Sequence, residues 1–147
     1  MIQRVVIVLT LLMLAGCGGV DPNSPLGKRK AIFQQMMNVS EDMGGMLRGR
    51  LKYNEQQFVD YAAELDRLSQ QPWQYFADDA DADKSSAKDD LWQQKEHFNE
   101  LAQALEQATA QLVIATQQQP INQDALAVRV EQVERSCKNC HDAFRIY

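Results

Sequence analysis

Histidine occurs only at positions 97 and 141, and cysteine only at 17, 137 and 140. A zinc site drawing on four side-chain ligands is therefore poorly supplied, since His97 stands alone in mid-helix. The four prolines and seven glycines fall mostly outside the periodic stretches, and no segment keeps the apolar/polar alternation of a strand. Internal repeats and low-complexity tracts are not evident. Basic side chains are the minority, 15 against 20 acidic ones, which argues against nucleic acid, whose affinity rests on cationic contacts to phosphates. Beyond residue 17 no apolar run is long enough to span a bilayer. The 147 residues, 45% hydrophobic and 24% charged, fit one globular domain.

The first residues are a separate matter. Arg4, the apolar run from Val5 to Leu14 and the small residues before Cys17 form the pattern of an export signal over 1–16. Leu14-Ala15-Gly16-Cys17 resembles the lipobox of bacterial lipoproteins, which marks Cys17 for lipidation and residues 17–27 as a tether to a membrane surface. The expected location is the periplasm, on a bacterial membrane and the outer one in preference.

Four stretches then show helical spacing. Over 25–50, Phe33, Met36, Met37, Ser40, Met43, Gly44 and Leu47 share a face. The second helix opens at Asn54, an N-cap with Gln57 three residues on, and carries Phe58, Tyr61, Ala62, Leu65 and Leu68 before Pro72. The long connection that follows has an apolar cluster at Trp73, Tyr75 and Phe76 and then Asp78-Asp79-Ala80-Asp81-Ala82-Asp83. That run lacks the glycine and distal glutamate of a calcium loop and reads as solvated chain. The third helix is expected over 87–118, with Pro120 as its stop, and the fourth from Asn122 to the C-terminus through Leu126, Val130, Val133, Cys137, Cys140, His141 and Phe144. The fold class is all-α: an antiparallel up-down-up-down four-helix bundle over 28–147.

Cys137-Lys138-Asn139-Cys140-His141 has the C-x-x-C-H order of covalent haem c attachment. Two thiols bond the vinyl-derived carbons on one porphyrin edge, and the adjacent histidine then reaches the iron. On a helix, 137, 140 and 141 lie on the face that Leu126, Val130, Val133 and Phe144 mark as apolar, so one haem is delivered into the bundle interior. A redox dithiol usually opens a helix after a strand, whereas this pair closes one. A structural disulfide has no need of the neighbouring histidine. His97, next to the apolar Phe98, is expected at solvent or a helix margin, without a role.

These residues resemble the cytochrome c prime family over about 28–147. The most specific match is Cys137-Lys138-Asn139-Cys140-His141-Asp142-Ala143-Phe144-Arg145, with Pro72-Trp73-Gln74-Tyr75-Phe76, Ser86-Ala87-Lys88 leading to Trp92, and Arg29 four residues before a large apolar residue. The resemblance implies that His141 is the axial iron ligand and that Arg145 stacks or hydrogen-bonds beside it. It places Arg29 at a haem propionate, Lys30 and Ser86 at the haem rim, and Phe33 over the distal face. Phenylalanine offers iron no lone pair, so the implied haem is five-coordinate and binds nitric oxide or carbon monoxide. Phe33 is bulkier than the leucine or methionine usual there, and the lipid anchor is unusual for the family. Homodimers are common in it, which this sequence does not decide.

The alternative is a six-coordinate electron carrier, with redox partner proteins, in which Met36 or Met37 closes the sixth position. Methionines on such a stripe are more often core packing, and if Phe33 lies over iron, Met36 lies roughly 5 Å along the helix axis. A haem enzyme such as a peroxidase is not expected, because no distal histidine and arginine pair is suggested.

Overall fold

The computed structural model describes residues 20–77 and 84–147. The expected signal, Cys17 and the acidic run at 78–83 lie outside the described residues.

Helix α1 spans Pro25–Leu47. Ser24 Oγ accepts the amide of Gly27 at 3.0 Å, and Pro25 occupies a first-turn position whose missing N–H costs nothing. The helix ends before the expected residue 50. Gly49 takes φ 72°, a left-handed conformation open to glycine, and the amides of Arg50 and Leu51 both return to the Gly45 carbonyl at 2.9 and 3.0 Å. Helix α2 is Glu55–Ser69, with the expected cap: Asn54 Oδ1 accepts the Gln57 amide at 2.9 Å. Helix α3 is Lys95–Thr116 and α4 is Gln123–Phe144, capped by Asn122.

The third helix therefore starts at Lys95, well after the residue 87 that its periodicity suggests. Residues 86–88 run extended against the C-terminal tail, where the Lys88 amide donates to the Phe144 carbonyl at 2.9 Å and the Ile146 amide to the Ser86 carbonyl at 2.8 Å. Backbone groups engaged across the chain in this way cannot serve an α-helical ladder. A 3-10 turn, Asp89–Trp92, bridges to α3. The same pairing stops α4 at Phe144, short of the C-terminus.

Consecutive helices pack on one another and α1 also packs on α4, which closes the antiparallel up-down-up-down bundle. Met36 and Met43 of α1, Phe58, Leu65 and Leu68 of α2, Leu105 and Leu112 of α3, and Leu126, Val130 and Val133 of α4 form one buried cluster. Met37, expected on the buried stripe, is 48% exposed. The buried line through Leu26, Arg29, Met36 and Met43 leaves it at the helix margin.

Periodicity of apolar residues also passes over two polar core members. Ser69 and Thr109 are fully buried, with their hydroxyls 3.0 Å apart, and Thr109 donates to Asp66 Oδ1 at 2.9 Å. Burial of such groups is tolerated because each is hydrogen-bonded.

Candidate haem site

The last turns of α4 carry the motif. Leu126, Val130 and Val133 are buried, then Cys137, Cys140 and His141 are half-buried, and Phe144 is buried again, one continuous stripe at three- and four-residue spacing. The motif residues are only half covered because they face a cavity of ≈ 610 Å³ between α1 and α4, a volume within the range of cofactor sites. Phe33 and Met36 line it from α1, Leu65 and Leu105 from the bundle interior, and Trp73, Phe76 and residues 85–87 from the connection between α2 and α3.

Neither Cys137 nor Cys140 is in a disulfide. Burial pushes Cys137 up to about 11, with Cys140 adding to it, and burial alone pushes Cys140 up to about 11. As thiols they would be neutral at pH 7, the opposite of a redox dithiol, whose attacking cysteine is held low. Burial and the nearby Arg145 charge lower His141, against a smaller opposing effect of Asp142, so the imidazole is in the neutral form that binds metal.

These residues fit a haem. No group of three His, Cys, Asp or Glu side chains able to hold a metal ion converges among the described residues. His141 thus offers a single imidazole, suited to a metal whose other ligands arrive with it in a porphyrin. The wall is mostly apolar, as a porphyrin face requires, and Arg29 and Lys30 among its residues supply cations that anionic propionates can meet.

The expected rim residues separate. Arg29 is 3% exposed and lines the cavity. Its Nη1 donates to the Tyr75 carbonyl at 2.7 Å and its Nη2 to Ser85 Oγ at 3.0 Å. Lys30 and Ser86 are exposed at the mouth, and it is Ser85, not Ser86, whose hydroxyl meets Arg29. Arg145 lies beyond the end of α4, its guanidinium over the Tyr147 ring at 5.6 Å. Its amide still bonds the His141 carbonyl at 2.9 Å. His97 is exposed, with its ring 5.5 Å from that of Phe144.

Sequence reasoning missed two supports. Ser85 has no distinguishing signal beside Ser86. Lys88 belongs to a matched stretch, but its task is visible only in three dimensions, where its Nζ donates to the carbonyls of Asp142 at 3.1 Å and Ala143 at 2.8 Å.

A four-helix bundle whose interior opens onto a C-x-x-C-H motif is the architecture of a bundle c-type cytochrome. Residues 24–145 match the family model described as Cytochrome C', and the chain belongs to that family. It is 27% identical over 143 residues to the cytochrome c' of Rhodopseudomonas palustris, covering 97% of this chain and 95% of that one. Cytochrome c prime from Shewanella frigidimarina superposes with a TM-score of 0.77 at 26% identity, over 88% of this chain and 100% of that one. A carbon monoxide-bound variant from Alcaligenes xylosoxidans gives 0.76 at 24% identity, over 87% and 98%, and a nitric oxide complex of a variant from the same organism 0.76 at 24%, over 88% and 98%. Family members carry one covalently bound haem c with iron, and so does this chain.

Proposed function

We propose that this cytochrome keeps the sixth position of its haem iron open and binds nitric oxide or carbon monoxide there, rather than acting as an enzyme. Cys137 and Cys140 would hold the haem through thioethers, and His141 would be the axial ligand. When bound, the haem supplies an iron that takes a neutral diatomic gas or an electron. The chain's own part is to bind, orient and exclude water. Cys137 and Cys140 fix one porphyrin edge to α4, Arg29 and Lys30 bring positive charge to the rim, and Phe33 covers the distal side.

The observation that carries this reading is the setting of Phe33. It lies on the cavity wall with its ring 6.0 Å from Trp73 and 6.3 Å from Phe76, an apolar cover without a lone pair. Small neutral gases pass such a cover more readily than water or anions, which must shed hydration. Relatives from Alcaligenes xylosoxidans with bound nitric oxide and carbon monoxide support it.

Met36 is 5% exposed in the core cluster, but it also lines the cavity, which keeps the six-coordinate electron carrier as the second reading. The optical spectrum of the ferrous holoprotein, before and after carbon monoxide, separates them. Broad high-spin bands that shift with the gas are expected. Sharp low-spin bands unmoved by it would give the site to a methionine thioether. The location proposed for the domain is the periplasmic side of a membrane, tethered through Cys17.

A further inference from the structure

Phe33 sits one helical turn beyond Arg29 on α1, and both meet the same short element. That element is the 3-10 turn Trp73–Phe76, which carries no α-helical ladder to stiffen it. Arg29 supplies the stiffness from below. Its guanidinium lies 4.4 Å from the Phe76 ring centroid, donates to the Tyr75 carbonyl, and reaches Ser85 on the far side of the connection. Above, the rings of Trp73 and Phe76 meet Phe33 edge-on, at interplanar angles of 66° and 62°. Phe98 backs both from α3, with centroid distances of 5.7 and 4.9 Å.

We propose that Arg29 and the turn Trp73–Phe76 form a buttress that holds Phe33 in one position over the cavity, which makes Arg29 a positioning residue for distal gas entry in addition to any contact at the haem rim. The inference rests on the reading of Phe33 as the distal cover. A planar fork that bonds two acceptors while stacking on a ring cannot be replaced by an ammonium group on a flexible stem. Arg29→Lys keeps the positive charge but releases the turn. A released turn lets Phe33 swing, and gas enters faster.

The test is a double-mutant cycle on carbon monoxide association with the ferrous holoprotein after flash photolysis, with amide hydrogen exchange of residues 73–77 as a readout independent of the gas. Phe33→Ala is expected to accelerate association about tenfold, and Arg29→Lys about threefold with Phe33 in place, a size typical of coupled neighbours. In the Phe33→Ala background Arg29→Lys should change the rate by less than about 1.5-fold, since coupling requires both partners. Exchange of residues 73–77 should rise in Arg29→Lys whichever residue occupies 33. Phe76→Leu, which trims the buttress without touching a buried charge, should reproduce the same dependence on Phe33 if Arg29→Lys proves too unstable to assemble. If Phe33→Ala leaves association unchanged, the distal role of Phe33 fails, and the buttress with it. Should Phe33→Ala accelerate association while Arg29→Lys and Phe76→Leu act equally in both backgrounds, or not at all, the buttress alone is overturned.

Discussion

The Lys88 ammonium reaches from the connection between α2 and α3 to the last turn of α4, 2.8 Å from the Ala143 carbonyl. Helix C-termini leave four carbonyls without intrahelical partners, and a cation there also meets the negative end of the helix dipole. This contact lies two residues past His141. Replacing Lys88 by Met should lower the stability of the holoprotein by about 1–2 kcal/mol, the range for bonds to a charged donor partly exposed to water, as read by urea denaturation. No loss would mean that water serves those carbonyls equally well.

Ser69 and Thr109 tie α2 to α3 in the core. Thr109→Val removes the bonds to Asp66 Oδ1 and to the Ser69 hydroxyl, which keeps its own bond to the Asp66 carbonyl at 2.8 Å, and should cost about 1–2 kcal/mol. Ser69→Ala should cost less than the sum predicts once Thr109 is already Val, with a coupling of about 1 kcal/mol in the cycle. Additive losses would show that the two hydroxyls act independently.

Gly44 is buried in α1, and the nearest atoms a β-carbon there would meet are those of the Arg48 guanidinium. That guanidinium is the far end of a flexible side chain, held by a 3.4 Å ion pair to Glu134 with both partners substantially exposed. Exposed pairs contribute about 0–1 kcal/mol, whereas alanine in place of glycine inside a helix gains about 0.8–1.0 kcal/mol. Gly44→Ala should therefore leave the thermal midpoint unchanged or raise it. A clear fall would show that the Arg48 position matters more than its exposure implies.

The proposed anchoring of the domain through Cys17 has its own test. Cys17→Ser should abolish incorporation of labelled fatty acid and move the cytochrome from the membrane fraction to the soluble one, with its haem spectrum unchanged. Unaltered membrane association without label would remove the lipid from the account.

Much of the site could be read from the chain because its chemistry is local. Cys137, Cys140 and His141 lie within five residues on a helix, so spacing alone aligns them with the apolar line through Val130 and Val133. The four helices were legible for the same reason, each carrying its own stripe and the second, at Asn54, its own cap. What was hidden depends on partners distant in sequence. The late start of α3 follows from the pairing of 86–88 with the tail, and neither segment betrays this alone. Ser69 and Thr109 are polar residues whose place in the core rests on their contact across two helices and on the reach of Thr109 to Asp66. The resemblance puts Arg29 at the rim, but its hold on the Tyr75 carbonyl requires a turn that no periodicity announces. Ser85 and Ser86 are indistinguishable until the backbone orients them.

The resonance Raman spectrum of the ferrous holoprotein tests the open sixth position most directly, because it reports spin and coordination number without an added ligand. The account predicts five-coordinate, high-spin marker bands and an iron–histidine stretch from His141, unchanged by Met36→Leu. Six-coordinate, low-spin bands that revert to five-coordinate in Met36→Leu or Met37→Leu would contradict it.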